Sequence, residues 1–283
     1  MTGDFLAPIR QRVVADAPQL ASLFDVMAGE ARFARWWLTD ELELLPRNAS
    51  VLEVGGGSFL LAYQLAREGY SITSIEPMGT GFDELGQLGQ IVLEAAGREC
   101  SPPRVVRCRA EDFTATDPVD FAFSVNVMEH VDSPEAVICR VAEALPKGGA
   151  YRFLCPNYLF PYEPHFNLPT LGTKKLTERM LRARIMADTR TGDPVGVWNS
   201  LNWITVPSVR RIAAKHPSLA VDFRRGTLEA MLERSIHDPE FARRRSPWMV
   251  SLVRAMKATG VLRCTSLVPA TIQPIMDARI KRV

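Results

Sequence analysis

Short apolar runs alternate with stretches of helical periodicity along most of this chain. SVLEVG (50–55) has the length and apolar character of a strand, and a helix is expected from Phe59 to Arg67, ended by Gly69. SITSIE (71–76) is the second strand, followed by a helical stretch over 81–97. RVVRCR (104–109), DPVDFAFSVNV (117–127) and AYRFLC (150–155) supply three more. The helix over 134–145 has a well-marked start, because Asp132-Ser133-Pro134-Glu135 provides a cap, a proline in the first turn and an early acid. Upstream, residues 18–45 repeat apolar positions every three or four residues and predict one or two helices. Beyond Cys155 the rhythm breaks into an insertion, 156–205, rich in aromatics, Pro and Asn. Alternation resumes with a helix over 207–215, begun by Thr205-Val206-Pro207-Ser208, and the strand LAVDFR (219–224). Helical patterns then cover 227–236 and 246–258, VLRCTSLV (261–268) is expected as a last strand and 270–281 as a terminal helix.

Strands that alternate with helices predict a parallel sheet covered on both faces, with its ligand crevice at the carboxyl ends of the strands. Glu53, Glu76, Glu111 and Asn126 all fall at or just past such ends.

Composition narrows the partners. The formal charge of the 283 residues is +2, too small to imply nucleic acid. From Phe241 to Val283 there are nine Lys/Arg against one acid, Asp277. The stretch 243–263 mixes these cations with Trp248, Met249, Leu252 and Val253, which suits peripheral contact with an anionic bilayer. A solvated helical face balanced by acids elsewhere accounts for the same pattern. The five cysteines form no CxxC pair, so buried, reduced thiols and a cytoplasmic location are expected. The N-terminus lacks the pattern of a secretion signal, and no apolar stretch is long enough for a transmembrane helix.

The most informative stretch is VLEVGGGSF (51–59). Glycines between a strand and a helix permit positive φ and close approach of a ligand. Glu53, two residues before Gly55 and expected to point to the mouth of the loop, would repel a pyrophosphate and attract a cofactor carrying ammonium and sulfonium groups. The dinucleotide fingerprint also asks for a small residue where this chain has Leu60. Glu76, at the end of the second strand, suits the two hydroxyls of a ribose and fits either cofactor.

VLEVGGGSF, SITSIEP, CRAEDF, FAFSVNVMEHV and ALPKGGAYRFLCPN, in this order and spacing, resemble the class I S-adenosylmethionine-dependent methyltransferases over residues 48–157. The resemblance implies an α/β, Rossmann-like, seven-stranded, mostly parallel sheet. It divides the chain into an N-terminal helical lid (1–47), an S-adenosylmethionine-binding core (48–156), a substrate-cap insertion (157–205) and the rest of the sheet with a basic helical end (206–283). It also implies that Glu53, Gly55, Gly56 and Gly57 line the methionine end of S-adenosyl-L-methionine. Glu76 would hold the ribose, Glu111 and Asp112 would meet the adenine with Phe113 nearby, and Asn126 would close the site. Where some relatives place a third glycine this chain has Phe59, expected to lie past the tight turn as a matter of helix packing.

Methyl transfer needs alignment and exclusion of water, and for a hydroxyl acceptor a base. The candidate bases are His130, after the fourth strand, and His165, in the insertion; His216 and His237 are assigned no role. Tyr158, Tyr162, His165 and Phe166 are the candidate substrate contacts, with an aromatic mini-core as the alternative. Trp36, Trp37, Trp198 and Trp203 could complete a lid, or belong to the core. No metal ligand set is evident by spacing. The expected activity is methyl transfer to a small-molecule or glycan/lipid-linked acceptor, at oxygen in preference to nitrogen or carbon. An NAD-dependent oxidoreductase and a non-catalytic methyltransferase-like partner protein are the alternatives from other classes.

Overall fold

The computed structural model describes residues 5–77, 83–99, 101–189, 193–243 and 245–283. Cys100, the first two residues of the helix expected over 81–97 and Arg244 of the basic stretch lie outside them. In chain order the helices α1 (Leu6–Asp16), α2 (Ala21–Trp37) and α3 (Thr39–Leu42) precede β1 (Ser50–Val54), α4 (Leu60–Arg67), β2 (Ser71–Ile75), α5 (Asp83–Glu99) and β3 (Arg104–Val106). Then come β4 (Phe121–Val125), α6 (Pro134–Ala144), β5 (Ala150–Pro156), the short hairpin β6 (Tyr162–Glu163) and β7 (Leu168–Pro169), α7 (Lys174–Met186), α8 (Pro194–Ser200) and α9 (Val206–Lys215). The chain ends with β8 (Leu219–Arg224), α10 (Thr227–His237), α11 (Pro239–Arg243), α12 (Pro247–Ala258) and β9 (Ile275–Arg282).

The strand order is β3-β2-β1-β4-β5-β9-β8 in one seven-stranded sheet, which is the expected α/β architecture. The β1/β2, β2/β3 and β4/β5 pairs are parallel, and β9 runs antiparallel to both β5 and β8. The chain forms two compact units. One contains α1–α5, β1–β3 and residues 229–264; the other contains β4–β9 and α6–α9.

Local signals account for most of these elements. Val51, Leu52 and Val54 of β1 are all fully buried, as a strand covered on both faces requires. The Ser133 hydroxyl accepts the Ala136 N–H at the start of α6, and Thr205 and Ser208 form a reciprocal capping box on α9. Gly69, at φ +100°, ends the turn after α4.

The last forty residues correct the sequence reading. Residues 261–268, expected as a strand, form a 3-10 helix (Val261–Leu267), and the expected terminal helix is strand β9. Met276, Ala278 and Ile280 are completely buried at alternate positions, the period of a strand. Asp277 lies between them, buried, and accepts from both ends of the Arg152 guanidinium at 3.0 and 2.7 Å. Thr227 donates a further hydrogen bond to Asp277. Removing either partner would leave an uncompensated buried charge, so this pair pins the register of β9 on β5. The cysteines are also less buried than expected: Cys155 is buried, Cys108 and Cys139 are half-buried, and Cys264 is exposed.

Candidate functional site

In the unit containing β1–β3, the chain leaves β1 through Gly55 (φ +81°) and Gly57 (φ +50°), a left-handed geometry that favours glycine. The Gly55 and Gly56 amides donate to the Ile75 carbonyl at 2.8 and 3.2 Å, fastening the bend to the end of β2. Phe59 also has a left-handed backbone (φ +55°) and donates its amide to the Gly56 carbonyl at 2.7 Å. It is therefore inside the turn, not past it as the sequence suggested. This conformation folds its ring under the loop, where it is 1% exposed and occupies the place a Gly56 Cβ would need. A Cβ on Gly89 would stand 3.0 Å from the same ring, and the Arg107 guanidinium lies 5.5 Å from its centroid. The middle glycine thus makes room for an aromatic ring, while its neighbours serve the backbone.

Glu53 is 4% exposed and accepts the Ser74 hydroxyl. Burial drives its pKa up to about 8; the Ser74 hydrogen bond opposes this and the charge of Glu76 adds to it. The carboxyl expected at the mouth of the loop is buried in the ligand-free protein. Burial costs the anion more than one hydroxyl returns, which favours the protonated form. Glu76 Oε2 accepts the Gly57 amide at 2.7 Å. Burial raises its pKa too, against the Gly57 bond and the charge of Arg107. Glu53, Gly55, Gly56, Gly57 and Glu76 are thus brought together.

In the other unit, Glu111 Oε1 accepts the Asp132 and Ser133 amides at 2.8 and 3.2 Å and so holds the approach to α6. Asp112 has a 70% exposed side chain, whereas Phe113 is buried. Of the two acids proposed for the adenine, Asp112 is the one that stands open. Asn126 follows β4 with φ +55°, its amide donated to the Leu154 carbonyl at 2.8 Å and its side chain exposed.

The two candidate bases, far apart in sequence, are neighbours: the His130 and His165 rings meet edge to face, centroids 5.0 Å apart. Ser200 Oγ donates to the Val197 carbonyl at 2.8 Å, so it accepts from His130 Nδ1, also at 2.8 Å. His165 Nδ1 donates to Glu163 Oε1 at 2.6 Å. Glu163 is fully buried and further accepts from the His165 and Phe166 amides and the Tyr158 hydroxyl. Burial lowers the His130 pKa to about 3, helped by the charges of His165 and Lys174. Burial acts the same way on His165, but the bond to Glu163 and the charges of Glu163 and Glu129 outweigh it and raise the pKa.

Glu129, quoted in the sequence only as part of the NVMEHV stretch, completes this group. It is fully buried, neither carboxylate oxygen has a hydrogen-bond partner among the described residues, and burial raises its pKa to about 7. Ligand atoms of Glu129, His130 and His165 all lie within 4.8 Å of one another. Asn202 holds the backbone here: its side-chain amide donates to the Met128 and Val131 carbonyls, both at 2.7 Å, and its own N–H to the Glu129 carbonyl at 2.8 Å. Neither Asn202 nor Ser200 carried a signal in the sequence, since both act through a loop that only the fold brings alongside.

The aromatic candidates separate. Tyr158 (5% exposed) stacks on Trp203 at 5.2 Å, and Phe166 (3% exposed) meets Trp198 edge on at 5.6 Å. Both belong to the mini-core. Tyr162 instead donates to Asn167 Oδ1 at 2.7 Å in an exposed setting. Trp37 and Trp198 are core residues, while Trp36 is exposed and packs on Phe33.

Three comparisons place the chain among known proteins. A family model for a methyltransferase domain matches residues 27–189. The uncharacterized protein Rv1509 of Mycobacterium tuberculosis (strain H37Rv) is 55% identical over 278 residues, 98% of this chain and 94% of that one. Among solved structures, the plantazolicin methyltransferase BpumL, in complex with a desmethyl-plantazolicin analog and S-adenosylhomocysteine, aligns with TM-score 0.49 and 9% identity over 98% of this chain and 96% of its own. Phosphoethanolamine N-methyltransferase 2 of Haemonchus contortus, in complex with S-adenosyl-L-methionine, aligns with TM-score 0.48 and 13% identity over 96% and 58%. With the motif series laid out on the expected sheet and the family model matched over more than half of its length, the chain belongs to the class I S-adenosylmethionine-dependent methyltransferase family.

Proposed function

We propose that this protein transfers a methyl group from S-adenosylmethionine to a hydroxyl oxygen of a small-molecule or glycan/lipid-linked acceptor. The observation that carries the donor assignment is the pair of acids on the glycine bend, Glu53 beside Ser74 and Glu76 on the Gly57 amide. Two carboxyls beside a glycine bend whose amides are already paired suit an ammonium, a sulfonium and a ribose diol, and oppose a pyrophosphate. In this reading Glu53, Gly55, Gly56 and Gly57 serve the methionine end and Glu76 the ribose. Asp112 serves the exocyclic amine of the adenine, Phe113 packs behind it, and Asn126 closes the site.

Transfer is an in-line displacement. A lone pair of the acceptor oxygen forms the new C–O bond while the C–S bond breaks, and its electron pair remains on sulfur as a neutral thioether. The acceptor's proton passes to a base. His165, oriented by Glu163, fits this task better than His130, whose lowered pKa makes it a weak proton acceptor; such a base contributes roughly 10²–10⁴-fold. Support for a glycan- or lipid-linked acceptor comes from α12, where Trp248 and Leu252 stand exposed on a helix that also carries Arg254 and Lys257.

Calorimetry with S-adenosylmethionine, its demethylated product and NAD tests the donor. The expected result is binding of the first two, no binding of NAD, and a loss of at least about 100-fold in donor affinity for Glu53→Lys, since a buried cation would replace the group that meets the ammonium. Preference for NAD, or an unchanged donor affinity in the variant, would refute the assignment. A methylated product found by mass spectrometry from a metabolite extract then separates an enzyme from a binding protein.

A further inference from the structure

We infer that Glu129, His130 and His165 form a site for one divalent metal ion of the zinc or manganese type, which would take an oxygen of the acceptor at an open coordination position. The acceptor part rests on the methyl-transfer reading; the ion site does not.

Two imidazoles and a carboxylate are a ligand set that transition ions favour, and three protein ligands leave room for an exchangeable oxygen. The ligand atoms lie within 4.8 Å of one another. Bonds of about 2.0–2.2 Å place ligands about 3–4 Å apart, so the widest separation has to close by about 1–2 Å around an ion.

The tautomers agree. Because Ser200 spends its proton on Val197, His130 must donate from Nδ1, and His165 donates from Nδ1 to Glu163. In each neutral ring the lone pair then sits on Nε2, the atom an ion would bind. Metal-bound histidines almost always donate their other ring N–H to a carboxylate, a carbonyl or a similar acceptor, which fixes the ring. Glu163 and Ser200 are in those positions already.

The independent observation is Glu129. It is fully buried, and among the described residues neither of its oxygens has a hydrogen-bond donor. Its neighbour Glu163, equally buried, receives four hydrogen bonds. A buried carboxyl without partners is costly, and native folds seldom keep one without a ligand. A cation on Glu129 would supply the partner that this carboxyl lacks and would lower the pKa of a coordinated acceptor hydroxyl, whose proton then leaves to water; with the ion bound, His165 is a ligand and this route replaces its role as base.

The test titrates the full-length, chelator-treated protein with Zn²⁺ and separately with Mn²⁺ by calorimetry, alongside Glu129→Gln, His165→Asn and His216→Ala. His216 is the control because it has its own nearby carboxylate and thiol, Glu135 at 3.0 Å and Cys139 at 3.5 Å. The expected result is one ion per chain, bound at least tenfold more weakly by Glu129→Gln and by His165→Asn and unchanged in His216→Ala. If Glu129→Gln does not fold, His165→Asn, altered at a partly exposed ring, decides. Absence of binding in the wild type, equal affinity in His165→Asn, or a loss confined to His216→Ala would overturn the site. Donor calorimetry on the same samples keeps the two readings apart: ion binding can fail while the donor still binds, and the reverse.

Discussion

Two buried carboxyls, one in each unit, carry similar pKa shifts from different surroundings. Glu53 and Glu129 are both driven upward by burial, to about 8 and about 7. Glu53 sits on a strand, has Ser74 as a donor and lies beside a bend whose amides are accounted for by Ile75 and Glu76. Glu129 sits in the turn after β4, and no side chain among the described residues donates to it. A raised pKa reports only that the anion is poorly solvated. What each carboxyl is for depends on its partners. In the readings proposed above, the first would meet a cation that brings its own hydrogen-bond donors, and the second an ion of higher charge.

The largest effect expected from pressing on this contrast is in the pH dependence of stability. Glu53 titrates near 4.5 when unfolded and near 8 when folded, so between those values the native state holds more protons and stability falls as pH rises. Glu53→Gln removes this slope, and its stability gain over wild type should grow across that window to the order of a few kcal/mol above pH 8, read by urea unfolding at several pH values. Donor binding should also release close to one proton at neutral pH, measured by calorimetry in buffers of different ionisation enthalpy. An unchanged slope, or no proton release, would show that Glu53 is not the group that meets the donor.

Next comes the ring beneath the loop. Gly56→Ala places a methyl group on Phe59, which Gly89 on the other side keeps from moving away. A loss of about 1–3 kcal/mol in thermal unfolding is expected, and much of it should return in Gly56→Ala combined with Phe59→Leu. No rescue would mean that the glycine serves the backbone and not the ring.

The smallest effect belongs to the histidine side. Asn202→Ala removes two hydrogen bonds from the turn that carries Glu129 and His130, with an expected loss of about 1–2 kcal/mol. Ion affinity should drop several-fold while donor affinity stays within about twofold. A matching drop in donor affinity would break the separation drawn between the two regions.

The glycine bend was legible because its parts are close in sequence: strand, acid and glycines follow one another, and Glu76 comes one helix later. Phe59 was misjudged because φ is set by what the ring packs against, which no local pattern encodes. The C-terminal reversal has a similar origin. IMDARIKR alternates apolar and polar residues, yet its basic character suggested a solvated helix, and only the buried partner Arg152 explains Asp277 in its centre.

By itself, then, the sequence determined the alternation of strands and helices, the helix starts at Ser133 and Thr205, and the family. These rest on periodicity, capping and contiguous motifs, all short-range. Tertiary structure alone decided that Glu53, Tyr158 and Phe166 are buried and that Glu111 is occupied at a helix start. It also decided that His130 and His165, far apart along the chain, share one buried group with Glu129. Burial and partnership are properties of neighbours in space, and for these residues the neighbours come from distant parts of the chain.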